Sequence, residues 1–372
     1  MIYLDNAATT KPFDGVIRRM AHFYTEAYFN PSALYAPAFD TAKELEESRS
    51  YLLSALGGWG NLYFTSCATE SNSWVFRCGI KNKRGNIVVS AGEHASVYEN
   101  AQALISAGID VRFVSLNADS TVNQDDFAQK VDADTTLVSV IHCSNETGAI
   151  NDIKTLATLA KSKNGKLLFH ADGVQAFGKM TVDCRDAGID LYSISAHKIG
   201  GPKGVGALWV REGLHLSPFL IGGGQEKGLR SGTENVAGIA GFAEAFRLFS
   251  QIDKQKIAKL KNILKEALCA LPYVSVNGSD TGSPFVLSVA VQGVKAEILQ
   301  RKLAECGILV GLGSACASRL KKNRVLSAMG KNKEQIEGSV RLSFGAENVN
   351  TDGVAVGQQI ADCIKSLHIQ RR

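Results

Sequence analysis

Ser195, His197 and Lys198 stand together in the run Ser195-Ala-His-Lys-Ile-Gly-Gly-Pro-Lys-Gly204, a hydroxyl, an imidazole and an amine followed at once by a glycine-rich turn. The residues before it, Ile189-Asp-Leu-Tyr-Ser-Ile194, read as a short apolar strand, and Val205-Gly-Ala-Leu-Trp-Val210 reads as the next apolar stretch. A lysine at the end of a buried strand differs from a solubilising one, because burial disfavours the ammonium and leaves a nucleophilic amine. Such an amine suits Schiff-base chemistry with pyridoxal 5′-phosphate (PLP). Lysines end strands in many proteins, so the rest of the chain has to decide.

Polar residues recur after four of the other apolar strands. Thr69 and Glu70 follow Leu62-Tyr-Phe-Thr65, His94 follows Ile87-Val-Val-Ser90, and Asn145 with Glu146 follows Thr136 to Ile141. Asp172 and Gln175 follow Leu167-Leu-Phe-His170. Ligands of open α/β folds gather at the carboxyl ends of the strands. The set also matches what PLP needs. A phosphate is held by amides at a helix start with hydroxyls beside them, for which Ala68-Thr69 and Ser195 are placed. The pyridine nitrogen needs a carboxylate so that the ring can act as an electron sink, and Asp172 is the candidate. His94 offers a flat face to cover the ring. Taken singly, Asp172 also reads as a helix cap, His94 as a surface histidine and Gln175 as a packing residue. No Gly-x-Gly-x-x-Gly or Walker loop follows a strand.

The elements that must position these groups are short apolar runs without alternation, separated by helical segments. That pattern describes a mostly parallel sheet covered on both faces. Helices are expected over 16–24, 38–56, from 68, from 94 to about 107, over 125–128, 153–161 and 235–250. After residue 250 a charged amphipathic helix (252–271) leads to strands at 285–291, 308–310 and 340–344 and helices at 295–305 and 352–368. The expected organisation is a large α/β domain over 13–250 and a smaller α+β domain made of 1–12 and 251–372.

Among the 372 residues, 45% are hydrophobic and 21% charged, which is globular, and no apolar run reaches membrane-spanning length. Neither a signal peptide nor a membrane span is expected. The net charge of +5 is spread along the chain, which argues against nucleic-acid binding as the main role. Eight cysteines, none in Cys-x-x-Cys spacing or clustered with histidines as zinc ligands, suggest reduced thiols in a cytoplasmic protein and no metal site.

Several segments together resemble the PLP-dependent cysteine desulfurases of the class V aminotransferase group, fold-type I. They are Tyr3-Leu-Asp-Asn-Ala-Ala-Thr-Thr10, Thr65-Ser-Cys-Ala-Thr-Glu-Ser71, Asn145-Glu146, His170-Ala-Asp172 with Gln175, and the Lys198 segment. Gly222-Gly-Gly-Gln-Glu226, Arg230-Ser-Gly-Thr233 and Gly313-Ser-Ala-Cys-Ala317 complete the set. The resemblance implies conversion of L-cysteine to L-alanine, with the sulfur passing as a persulfide on Cys316 to an acceptor. It implies that Lys198 holds the cofactor and then moves the substrate's Cα proton, and that His94 stacks on the ring and moves protons at the substrate thiol. Asn145 and Arg341 would bind the substrate carboxylate, and Gln175 the cofactor's phenolic oxygen. Thr69, Ser195 and His197 would hold the phosphate, joined by Thr233 from a second subunit. A homodimer is therefore expected. The acceptor stays open among an iron–sulfur scaffold, a tRNA thiolation enzyme and other sulfur-using pathways.

Cys316 also fits on chemical grounds, since a thiol that enters a pocket and later hands on sulfur belongs on a glycine-rich loop such as Gly311 to Ala315. Two segments depart from the family pattern. Asn30-Pro-Ser-Ala-Leu-Tyr-Ala-Pro-Ala-Phe39 lacks the usual histidine and glycine, and the stretch from Ala317 to Arg324 is basic and without proline. Other readings are a selenocysteine lyase or related PLP lyase, and a non-enzymatic scaffold or regulator of the same fold.

Overall fold

The structure, a computed structural model, describes residues 1–78, 85–279, 281–312 and 323–369. After a short strand β1 (Ile2–Leu4), helices α1 (Asp14–Thr25) and α2 (Ala36–Ser54) precede an alternating region. That region runs β2 (Asn61–Thr65), α3 (Ala68–Cys78), β3 (Asn86–Ser90), α4 (Ala95–Ser106), β4 (Asp110–Val114) and α5 (Gln124–Lys130). It continues through β5 (Thr135–Ile141), α6 (Ile153–Lys163), β6 (Leu168–Asp172), β7 (Leu191–Ser195) and β8 (Gly206–Val210).

Among the described residues, β2 to β8 form a seven-stranded sheet in the order β2-β8-β7-β6-β5-β3-β4. The pairs β3–β4, β3–β5, β5–β6 and β6–β7 are parallel. Strand β8 runs antiparallel to both its neighbours. The expected α/β fold with a mostly parallel sheet is what forms. Strands β3 and β7 are buried at every position, which is why their sequences read as unbroken apolar runs: helices cover both faces. The direction of β8 was not legible, because an antiparallel strand buried on both faces has the same composition as a parallel one.

Helices α7 (Val236–Phe249) and α8 (Lys254–Cys269) follow. The sequence suggests one helix from Ile252, but Asp253 caps α8 instead, its carboxylate accepting from the amides of Gln255 and Lys256. The remainder is β9 (Val274–Asn277), β10 (Val286–Val291), α9 (Ala296–Glu305), β11 (Ile308–Val310), α10 (Arg324–Ala328), α11 (Lys333–Glu337), β12 (Ser339–Ser343) and α12 (Gly353–Ile369). Strands β12, β10 and β9 form an antiparallel sheet. The sequence reading missed β9, which is only four residues long and is specified by its pairing and by buried Asn277, whose amide reaches Ser288 and Ser339.

The amino-terminal segment is tied to this last region. Strand β1 pairs with β11, and Asp5 forms a bridge with Ser343. From there residues 7–10 cross the carboxyl ends of the large sheet. The Thr10 amide donates to the His197 carbonyl at 2.9 Å, and Gly200 N donates to the Thr10 hydroxyl at 2.7 Å. His197 and Gly200, in the turn after β7, are thereby tied to chain that is nearly two hundred positions away.

Candidate active site

The strand ends open into a cleft of about 1400 Å³. Ala68, Thr69, His94, Asn145, Asp172, Gln175, Ser195, His197, Lys198 and Arg341 all line it. Thr233 does not line it and is exposed in the segment before α7. Cys316, with the glycine-rich and basic stretches around it, lies outside the described residues apart from Gly311, Leu312, Asn323 and Arg324.

Lys198 ends a single 3-10 turn after β7. Its Nζ donates to the carbonyls of Ala7 and Ala8, each at 2.7 Å. Burial lowers its pKa to about 7, helped by the positive charges of Lys179 and Arg341 and opposed by Asp172 and Asp5. A neutral amine has two N–H bonds and one lone pair. With both protons directed to Ala7 and Ala8, the lone pair is left as the nucleophile. Neither alanine was singled out by the sequence reading, because backbone carbonyls carry no sequence signal.

Asp172 is the last residue of β6 and is buried. One carboxylate oxygen accepts from Asn72 Nδ2 at 2.9 Å and the other from the Val174 amide at 3.1 Å. Asn72 also donates to Ser96 Oγ at 2.8 Å, and that hydroxyl lies 2.8 Å from His94 Nδ1. A continuous polar chain therefore joins Asp172 to His94. His94 caps α4, its Nδ1 accepting from the Ser96 amide at 3.1 Å. Accepting at Nδ1 leaves the proton of the neutral ring on Nε2. The His94 pKa is lowered, chiefly by burial and then by Lys198, against the pull of Asp172. Asn72 and Ser96 were missed. Thr69 and Asn72 are three apart on α3, so a shared helix face was the available signal.

Gln175 is buried, and two hydrogen bonds orient it while leaving its second amide proton free. Its Nε2 donates to the Ala7 carbonyl at 3.0 Å, and its Oε1 accepts from Lys179 Nζ at 2.6 Å. Lys179, whose pKa burial lowers to about 8, thus fixes which end of the amide donates toward the cleft. His197 has its Nδ1 3.2 Å from the Thr9 hydroxyl, and burial with nearby lysines lowers its pKa to about 3. Ser195 Oγ is buried without a hydrogen-bond partner. A Cβ on Gly206 would stand 2.9 Å from the Ala68 amide nitrogen and 2.8 Å from the Cys67 carbonyl carbon, so glycine there keeps the start of α3 against β8.

Arg341 lies on β12, buried. It pairs with Asp5 at 2.7 Å and donates to the Asn145 carbonyl at 2.9 Å, while its Nε has no partner. Arg324, the last residue of the basic stretch that departs from the family pattern, donates to the carbonyls of Ala91 and Glu93 and lies 4.0 Å over the Tyr98 ring. Glu93 was not anticipated. It lines the cleft, is buried, and burial lifts its pKa to about 8. Its Oε1 accepts from Ser90 and the Ile141 amide, while Oε2 has no partner. Among the described residues, no group of three or more His, Cys, Asp and Glu is placed to hold a metal, and no helix is long and apolar enough to cross a membrane.

This architecture has known counterparts. The family model for class-V aminotransferases matches residues 2–354. Cysteine desulfurase IscS of Clostridium botulinum is 36% identical over 364 residues, covering 94% of this chain and 91% of that protein. A solved NifS-like protein superposes with a TM-score of 0.91 at 32% identity, covering 98% of this chain and all of the other. A structure described as SspA in complex with cysteine gives a TM-score of 0.82 at 28% identity, covering 93% of this chain and 99% of the other. The chain belongs to the class-V aminotransferase family, and within it to the cysteine desulfurases, which makes it a PLP-dependent enzyme.

Proposed function

We propose that this cleft removes sulfur from L-cysteine, leaving L-alanine, with the sulfur carried as a persulfide on Cys316 to an acceptor. The observation that carries the residue assignment is the buried, doubly hydrogen-bonded amine of Lys198 in one cleft with the buried Asp172–Asn72 pair. Unsatisfied buried groups fit the cofactor as well. Ser195 Oγ has no protein partner and stands beside His197 and the first residues of α3, which suits a phosphate.

PLP supplies an electron sink for the pair of electrons released at the substrate Cα. The protein's own groups do the rest. Lys198 would hold the cofactor through its amine and, when freed, would take the proton from the substrate Cα. Asp172 keeps a proton on the pyridine nitrogen, and Asn72 holds the carboxylate in place. His94 would cover the cofactor ring and, with its proton on Nε2, would exchange that proton with the substrate thiol. Gln175 donates toward the phenolic oxygen, oriented by Lys179. Arg341 Nε and Asn145 receive the substrate carboxylate, the arginine giving up part of its contact with Asp5. Ala68, Thr69, Ser195 and His197 hold the phosphate.

Thr233 lies outside the cleft of its own chain, which agrees with a homodimer in which it completes the partner's phosphate site. The Cys316 thiolate would attack the substrate sulfur as the Cβ–S bond breaks, the electron pair and a proton going to the carbon that becomes the methyl of alanine. The persulfide sulfur would then pass to a protein such as an iron–sulfur scaffold or a tRNA thiolation enzyme. The decisive experiment incubates the native protein and Cys316→Ala with L-cysteine and a reductant. Alanine and sulfide in equal amounts from the native protein, abolished in the variant with PLP retained, supports the reading. A variant that keeps its rate removes Cys316 from the mechanism and makes the protein a lyase.

A further inference from the structure

Away from the cleft, two thiols face each other. Cys306 is the residue after α9, immediately before Gly307 and β11, and Cys363 lies midway along α12. Their sulfurs are 3.4 Å apart across 57 positions of sequence. The backbone around them is fixed. The Cys306 carbonyl accepts from Gln359 Nε2 at 3.0 Å, which ties the end of α9 to α12 one turn before Cys363. Gly307 in turn accepts from the Ile2 amide at 2.7 Å. The two sulfurs are therefore held near each other by secondary structure rather than by a chance meeting of loops.

We propose that Cys306 and Cys363 are a dithiol modification site that a peroxide converts to an intramolecular disulfide. The two sulfurs differ in a way that orders the steps. Cys306 is partly accessible, whereas Cys363 is buried. Burial, and then its neighbour Cys306, raise the Cys363 pKa to about 11, so Cys363 stays a thiol and the accessible Cys306 is the sulfur that meets an oxidant first. Cys306 reacts with hydrogen peroxide to give a sulfenic acid and one water. The Cys363 thiol then attacks that sulfur, forming the S–S bond and releasing a second water. Two electrons leave the thiol pair and reduce one peroxide. A reductant thiol reverses the change through a mixed disulfide.

The product fastens α12 to the base of β11. That strand pairs with β1 and continues into Gly311, which exchanges backbone hydrogen bonds with Arg341 in the cleft wall. A covalent tie at Cys306 therefore sits on the framework that supports Arg341, without any sulfur of the pair entering the cleft.

The test uses the PLP-loaded Cys316→Ser protein, so that failure of the desulfurase reading cannot be mistaken for failure of this one. It is treated with hydrogen peroxide under native conditions, its remaining thiols are alkylated, and peptides are mapped by mass spectrometry. The expected result is a cross-linked peptide pair containing Cys306 and Cys363, two hydrogens lighter than the separate peptides and lost on reduction. Cys306→Ser and Cys363→Ser should each abolish it. In Cys363→Ser, Cys306 should instead go on to sulfinic acid. Alkylation of both cysteines after peroxide treatment, or a Cys306 that is overoxidised while Cys363 stays a thiol in the otherwise native chain, overturns the proposal.

Discussion

The amine of Lys198 should attach PLP with a pH dependence set by its surroundings rather than by its chemistry as a lysine. An ordinary lysine, with a pKa near 10.4, is neutral in only about one molecule in 2,500 at pH 7. With its pKa lowered to about 7, about half of the Lys198 amines are neutral there, a gain on the order of a thousandfold in nucleophile. The perturbation is Lys179→Met in cofactor-free protein. Lys179 is the largest of the charges that lower the Lys198 pKa, and its ammonium also holds Gln175. Removing that charge should move the midpoint of attachment upward in pH and slow attachment at pH 7. The assay mixes cofactor-free protein with PLP between pH 5.5 and 10 and follows the yellow absorbance, with borohydride trapping to locate the label on Lys198. Native attachment should reach half its limiting rate near pH 7. A midpoint near 10 in the native protein, or a Lys179→Met midpoint at or below the native one, would refute the reasoning.

Asn72→Ala removes a donor from the buried carboxylate of Asp172 and breaks the link to Ser96 and His94. A hydrogen bond to a charged group is worth about 1.5–3 kcal/mol, so PLP affinity should fall by roughly 10- to 100-fold, read by the cofactor retained on dialysis. Unchanged retention would show that Asp172 does not depend on Asn72. Arg49→Met should destabilise the fold by about 3–5 kcal/mol, because it leaves Glu226 buried, with only the Phe64 amide in place of a bidentate guanidinium. Urea denaturation measures this, and a loss below about 1 kcal/mol would make the pair no better than a surface one. Glu93 is protonated in the folded chain up to about pH 8, against a reference value of 4.5. The folded state therefore binds more protons between these values, and the stability this group contributes at pH 4.5 is lost as pH rises through 8. Glu93→Gln should flatten the decline in stability over that range and, at pH 8, be worth up to ~5 kcal/mol. Parallel native and variant curves would show Glu93 to be ionised.

What was legible in the sequence were features that composition and spacing encode locally. Unbroken apolar runs gave the large sheet, since a strand covered on both faces can carry few polar side chains. The polar residues after those runs gave Lys198, Asp172, His94 and Ser195, because strand ends are where polar chemistry can be tolerated beside a core. Helix boundaries shifted where a cap took over, as at Asp253. Thr233 stood out only through a resemblance, and its own chain does not bring it to the cleft.

The sequence by itself determined which residue types stand at the strand ends, and hence the fold class and most of the groups that line the cleft. Tertiary structure alone decided what those groups do electrostatically. The pKa of the Lys198 amine is lowered by burial and then by Lys179 and Arg341, and its protons are taken by Ala7 and Ala8, partners that are nineteen to almost two hundred positions away. Glu93 looks like an ordinary acid beside a histidine until Ser90 and Ile141 enclose it. Arg324 looks like one more solvated cation until Tyr98 lies beneath it. Cys306 and Cys363 look like unrelated core thiols until α9 and α12 bring them together. The physical reason is common to all four. A side chain's type is written in the sequence, but its pKa and reactivity depend on distance and dielectric, and those exist only once the chain has closed around it.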